Sequence, residues 1–597
     1  MALGRRLTHP LTAFALAFGG AASAQALDDL LPAETFFALG MRDLAGASAY
    51  LEDFGAAFER LGVADALVAL GASGEAALND MTGGAMTGGE VTGSADFGEA
   101  DLDEAEKRLR ALATLDVFGQ EAWIGLSATP YNPVPAAVLL TRLTPEGAEE
   151  VRALLDDPEL GNGAEVQTFE ESGYTFSQVT LGTDGPVPVL AYALADDVLA
   201  LATNPDELRG VLRRLSGADE PNFAASAGFE STLGTLEAGT FYGYLDYARI
   251  AEAVGPYSQG LGFDRLATRL SEALATAGRV GGVARLTEAA LETQSVQVLD
   301  EAGGDAQLYA LLSDDTPAQT DVLVPPEALS ASVSARDLSG WYDYLNALAL
   351  SVPELGGDLD SLLLSIVGVN LRDTVFNWTG RQIVTMSTGF GEVIQPGVPS
   401  NNLLGESVYL LEATNENAAE RGLGTLLTNL SQTLAAFSNP QGVGTSEAQT
   451  EEIAGVTVTR YEIADGITLL YAVAGGYAIV ATSEDAMQRA LAAQSEGAGV
   501  PLSELLGDVP EGATAVSYAD GRRTFEGLAA QLSNQLQLAA GMGGAGTLDF
   551  DAVDEASEAL EAFFAFVAER LGPSTGYSER AEGTIRSFSE AEVRWRQ

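Results

Sequence analysis

The sequence contains no cysteine, one histidine (His9) and one lysine (Lys107) in 597 residues. Without cysteine there is no disulfide, no thiolate nucleophile and no lipid-attachment site. His9 sits in an N-terminal segment that reads as removable, so the mature chain has neither histidine nor cysteine. Ser-His-Asp and Cys-His mechanisms are then excluded. So are the usual zinc sites, iron–sulfur clusters and histidine-ligated haem. No G-x-S-x-G elbow and no G-x-x-x-x-G-K-[ST] phosphate loop is present. A Ser-Lys dyad would have to use Lys107, which lies among charges on a predicted helix and reads as a solvated side chain. Positive charge is also scarce: 30 basic residues face 85 acidic ones, a net charge of −55. Such a field repels DNA, RNA and anionic lipid headgroups, so no nucleic-acid partner is expected. Its plain reading is solubility, and the sharper one is binding of cations or basic partners.

What is present begins with a targeting signature. Arg5 and Arg6 precede an apolar run from Leu11 to Ala22, and Ala22-Ser23-Ala24 supplies the small residues a signal peptidase accepts. Residues 1–24 read as a signal peptide cleaved before Gln25. The run falls short of the ~20 residues that span a bilayer, and no later stretch qualifies. The expected protein is exported and soluble, periplasmic or extracellular, with no membrane-spanning segment after cleavage. Its core and hydrogen bonds alone must hold it. Halves of this length can bury roughly three quarters of their unfolded surface.

The chain is doubled. Val189 to Leu212, VLAYALADDVLALATNPDELRGVL, aligns without a gap with Thr468 to Leu491, TLLYAVAGGYAIVATSEDAMQRAL. Each copy reads as two apolar strands across a tight turn, then a helix capped by Asn204 or Ser483. Other features recur. Arg42-Asp43-Leu44-Ala45-Gly46 matches Arg336-Asp337-Leu338-Ser339-Gly340, and Tyr244-x-Asp246 matches Tyr518-x-Asp520. Thr144-Pro145-Glu146 opens a helix. Strands occur in adjacent pairs, many of them half polar, which predicts antiparallel pairing. The expected fold is α+β: two related domains, each a curved, mainly antiparallel sheet with helices on one face. The first domain spans 25–313 and the second 323–597, with a polar linker at 314–322. Gln307 to Leu312 reads as a closing strand of the first. Tyr192, Leu194, Leu199, Leu201, Tyr471, Val473, Ile479 and Val480 are the expected core. Met81 to Gly93 reads as a glycine-rich loop and Asp101 to Leu115 as a helix.

Gly119-Gln120-Glu121 and Gly380-Arg381-Gln382 each open a strand, and Gly173 and Gly455 each begin another. Together with the strand-turn-strand-helix unit, this order resembles two tandem copies of an exported bacterial family known as domain of unknown function 3352. The resemblance covers most of both halves. It implies an envelope or secreted location and carries no known activity and no catalytic residues. Many members of that family have an N-terminal membrane anchor, whereas a cleavable signal is the reading here.

Carboxylate chemistry survives these exclusions. A glycosidase needs two acids ~5–10 Å apart, and Asp43, Asp246, Asp337 and Asp520 recur between the halves. Recurrence at strand ends fits caps and turns equally well, and the arginines beside Asp43 and Asp337 read as surface residues. Asp549-Phe550-Asp551 with Asp554-Glu555 has a calcium-loop flavour, but Val553 and Asp554 break the EF-hand pattern. An acidic helix start is the plainer reading. Trp123, Trp341, Trp378 and Trp595 are candidates for a sugar platform or for the core. No residue is assigned to catalysis, cofactor or metal, and no cofactor is expected. The expected function is non-enzymatic binding of a ligand or envelope partner; the alternative is a carboxylate-dependent hydrolase acting on extracellular polysaccharide. Calcium-assisted surface binding is a third expectation.

Overall fold

A computed structural model describes residues 26–43, 56–57, 60–62, 118–128, 135–155, 165–180, 189–258, 264–351, 357–390, 405–438, 448–464, 467–495, 497–542 and 550–595. Residues 1–24, read as a signal peptide, most of the helix expected after Asp43, the expected 81–93 loop and the expected 101–115 helix with Lys107 lie outside these residues.

Ten strands come from the first half: β1 (Thr35–Arg42), β2 (Phe118–Ser127), β3 (Ala136–Leu143), β4 (Glu165–Glu171), β5 (Tyr174–Thr180), β6 (Val189–Ala195), β7 (Val198–Ala202), β8 (Phe241–Asp246), β9 (Arg279–Leu286) and β10 (Ala290–Val298). Ten follow in the second: β11 (Ser330–Ala335), β12 (Thr379–Gly389), β13 (Glu406–Ala413), β14 (Gln449–Ile453), β15 (Val456–Ala464), β16 (Ile467–Ala474), β17 (Tyr477–Ala481), β18 (Ala515–Asp520), β19 (Leu571–Ala581) and β20 (Thr584–Val593). All pair antiparallel in one 20-stranded sheet. Its first ten positions run β4-β5-β6-β7-β3-β2-β1-β8-β9-β10. The remainder is the same order reversed, β20-β19-β18-β11-β12-β13-β17-β16-β15-β14.

β10 and β20 join the halves. Their register runs from Ala290↔Glu592 to Val298↔Thr584, with Gln294 opposite Phe588 at its middle. Equivalent strands meeting antiparallel place a local two-fold axis there. Thr293 and Ser589 share a hydroxyl hydrogen bond of 2.6 Å across this seam. The sheet is therefore continuous through both halves. Residues 314–322 are not a free tether: Ala318 N donates to Ala513 O (2.8 Å) and Gln319 N to Gln382 Oε1 (3.0 Å), and Val322 is buried. The outermost strands, β4 and β14, carry Glu170, Glu171, Glu451 and Glu452, charges that discourage edge-to-edge association.

Helices cover both faces, not one. α1 (Pro145–Leu155) packs Ala148 and Val151 near Leu194 and Leu199. α2 (Pro205–Leu215) packs Leu208, Val211 and Leu212 on the other face, against Ala191, Ala193, Ala200 and Ala202. Side chains alternate between faces along a strand, so the period-two pattern was right but the deep face was not the expected one. Tyr192, Leu194, Leu199 and Leu201 are half-buried, and alanines form the fully buried row beneath α2. Small side chains let the helix approach closely. In the second half Tyr471 and Ile479 are buried as expected, while Val473 and Val480 are half-buried.

The expected caps form. Asn204 Oδ1 accepts from Asp206 N (3.0 Å), Ser483 Oγ from Ala486 N (3.1 Å) and Thr144 Oγ1 from Gly147 N (3.0 Å).

Three connections between neighbouring strands carry helix pairs, and other connections carry a single helix. α3 (Tyr247–Ser258) and α4 (Asp264–Ala277) connect β8 to β9. Gln307–Leu312, expected as a strand, lies in helix α5 (Ala306–Leu312). Asp305 Oδ1 caps it by accepting from Leu308 N (3.0 Å). α6 (Leu338–Leu350) and α7 (Leu359–Ile366) follow β11, α8 (Glu416–Ser438) follows β13 and α9 (Glu484–Ser495) follows β17. α10 (Gly521–Met542) and α11 (Phe550–Ala568) connect β18 to β19. Contacts between the halves are reciprocal. Trp341 and Tyr344 of α6 pack on α4 and α5, while Leu61 packs on Ala556, Leu560 and Phe563 of α11.

Candidate functional site

The four recurring aspartates do not converge. β1 and β8 are antiparallel neighbours, which puts Asp43 and Asp246 at opposite ends of that pair; Asp337 and Asp520 are separated in the same way across β11 and β18. Asp337 caps α6, accepting from Gly340 N (2.9 Å), and Asp520 caps α10, accepting from Arg523 N (3.0 Å). Asp43 has a left-handed backbone with φ 53°.

The tryptophans form no exposed platform. Trp123, Trp378 and Trp595 are buried, each with its indole N–H donated, and Trp341 packs in the α5–α6 contact. Asp554 and Glu555 lie on α11, which begins at Phe550; Asp549 is outside the described residues. Among the described residues no group of three acids converges to hold a metal ion. A shallow polar depression at the start of α8 is lined by Asn415, Asn417, Glu420 and Arg421.

Among the described residues, the fully buried carboxylates are Asp28, Asp246 and Asp305. Each is engaged. Asp246 accepts from Arg279 Nε (3.1 Å), from Tyr244 Oη (3.3 Å) and from Arg249 N (3.1 Å) at the start of α3. Burial, and then the Asp246 charge, push the Tyr244 hydroxyl well above its ordinary range. Asp305 accepts from Tyr344 Oη (3.0 Å) besides capping α5.

Asp28 belongs to a larger group centred on Arg42. This arginine is not the surface residue the sequence implied. It pairs with Asp28 through Nη2 and with Glu121 Oε1 through Nε at 3.1 Å. Glu121 Oε1 also accepts from Leu27 N and Trp123 Nε1, both at 3.1 Å. The guanidinium lies 5.6 Å from the Trp123 ring and 5.2 Å from the Tyr242 ring. Charge neutralisation, a cation over aromatic faces and a hydrogen-bonded indole together bind the N-terminal segment to β1 and β2.

Two carboxyls behave differently: burial, with the nearby Asp28 charge, raises the pKa of Asp29, and Glu207 is the second. Glu207, in the first turn of α2, accepts from Ser127 Oγ (3.0 Å). Burial raises its pKa, outweighing the Ser127 hydrogen bond and the Arg214 charge. Arg214 is itself buried, with Nε on Leu30 O (2.9 Å) and no partner for Nη2. Burial lowers the pKa of its guanidinium.

A carboxyl raised in the folded state favours the protonated fold. Its contribution is complete below the ordinary value of 4.5 and is lost as pH rises through the raised value. Glu207→Gln, which mimics the protonated form, should therefore raise the melting temperature at pH 7 and leave it unchanged at pH 4. A melting series in which variant and parent run parallel across this window would count against the buried-carboxyl account.

Sequence reasoning missed Arg42, Glu121, Arg214 and Glu207. The repeated Arg-Asp pair was the signal for Arg42, but only the fold shows that the arginine turns inward in one copy. No family model matches the chain, and neither a curated protein nor a solved structure matches it.

Proposed function

We propose that the protein is exported and acts without catalysis, by binding a ligand or partner. The observation that carries this reading is the engagement of Asp28, Asp246 and Asp305 by arginines, tyrosine hydroxyls or helix-start amides. These acids neutralise and cap; they do not face one another across a cleft. The missing histidine and cysteine support the same reading, because acids are the main reactive groups left. No helix among the described residues is long and apolar enough to cross a membrane. The signal sequence supports export, and the resemblance to domain of unknown function 3352 agrees with it.

The test uses mature protein and a panel of chromogenic glycosides and envelope polysaccharides. No turnover above a buffer blank is expected, and N-terminal sequencing of exported protein should begin at Gln25. Turnover abolished by Glu207→Gln would move the assignment to the second reading, a carboxylate-dependent hydrolase of extracellular polysaccharide. Glu207 favours that alternative because burial holds its carboxyl toward the protonated form that a general acid needs.

A further inference from the structure

In a chain with so few cations, three arginines gather at one end of β11, β12 and β19. Arg381 Nη1 binds both oxygens of Asp314 at 2.9 and 2.8 Å. Arg580 Nη1 donates to the Asp314 carbonyl at 2.9 Å. Arg336 N donates to the Arg381 carbonyl, and the Arg336 charge is close enough to Arg580 to help depress its pKa, after burial. Three of the nearby acids are committed, while Asp315, next in the chain, is exposed and makes no ion pair to a described residue. The Asp314 carboxylate is held by Arg381 and by the Thr316 hydroxyl. Glu412 Oε2 accepts from the backbone of Arg381 and Gln382, and Asp337 caps α6. Arg336 makes no ion pair to a described residue, and Arg580 Nε is buried without a partner.

The equivalent place in the first half shows what is missing. There Arg42 ends β1 and faces Glu121 on β2, with Asp28 completing the neutralisation. At the end of β11 the facing residue is a third arginine, Arg381. Asp314 supplies one negative charge beside Arg381 and Arg580, so three arginines face one carboxylate, and the surplus like charge is unfavourable unless a second anion joins them.

We propose that Arg336 and Arg580, with Arg381 beside them, bind an oxyanion: the phosphate or carboxylate group of a ligand. Planar guanidinia suit both groups through paired N–H donors. The ligand would supply from outside the negative charge that Asp28 and Glu121 supply within the first half. This deepens the binding reading above and rests on it.

The experiment titrates the mature chain with inorganic phosphate and, separately, with acetate, at fixed ionic strength, by calorimetry and thermal shift. Saturable one-site binding with Kd on the order of 1 mM is expected for at least one anion. The tighter of the two identifies the ligand group. Arg336→Gln, at an exposed position, should weaken binding about tenfold or more, a loss of ~1.4 kcal/mol per decade. Arg594→Gln, which breaks only the exposed pair with Glu592, should leave it unchanged. Arg580→Met should weaken binding at least as much; if that variant fails to fold, Arg336→Gln decides. No saturable binding of either anion, or equal binding by Arg336→Gln and the parent, overturns the site. Either result leaves the non-enzymatic reading standing, since that rests on the buried acids and is tested by turnover.

Discussion

Arg42→Met is expected to cost about 3–5 kcal/mol, read as a lowered urea midpoint, because it leaves a buried carboxylate uncompensated. Asp28 keeps only 3% of its side chain exposed and Glu121 12%. The cost comes from these stranded charges more than from the lost attraction. A second arm separates the two. Arg42→Met combined with Asp28→Leu and Glu121→Met should recover much of the loss, since apolar groups of similar volume often replace buried ion pairs at little cost. Arg42→Lys should fall between, as it keeps the charge but loses the fork that reaches Asp28 and Glu121 together. A midpoint for Arg42→Met equal to the parent's would show that the pair is solvated and the network incidental.

Trp378→Ala is the other large effect, again about 3–5 kcal/mol. Trp378, just before β12, is fully buried against α8, beside Leu423, Leu427, Tyr461 and Tyr471. Its indole donates to Thr374 O at 2.7 Å, and its carbonyl accepts from Thr414 N at 2.8 Å. Gly422 of α8 lies so close that a Cβ there would stand 2.0 Å from Thr374 O and 2.7 Å from the indole nitrogen. The site is too tightly built to collapse around a deletion of that size, which is why the upper part of the range applies. Trp378→Phe should lose less, keeping most of the volume but not the hydrogen bond. The measurement is the denaturation midpoint by circular dichroism; an unchanged value for the alanine variant would mean that α8 is not seated as described.

Much of the local structure was legible in the residues. Period-two alternation located most of the strands, and Asn204, Ser483 and Thr144 announced their helices because a side-chain acceptor beside free amides has one obvious use. Two things were not legible. Gln307–Leu312 is a short apolar run, equally compatible with strand and helix, and the Asp305 side chain settles it by capping the helix. The joining of the halves through β10 and β20 has no local signature: Gln294 and Phe588 look like any mid-strand residues, and only long-range pairing reveals their role. The site followed the same rule. Asp246, Asp337 and Asp520 were visible as caps, but the inward turn of Arg42 and the facing of Arg336 by Arg381 depend on which strand lies alongside.

The placement of β20 has a further consequence for biosynthesis. Of the twenty strands it is the last to leave the ribosome, yet it stands in the middle of the finished sheet. Until it arrives, β10 and β19 present raw backbone to solvent. β10 bears one acidic residue, Glu292, and so lacks the glutamate-rich screen of the outer margins. Nascent or clipped chains lacking the final hairpin strand would be adhesive at their centre for as long as translation leaves that gap open.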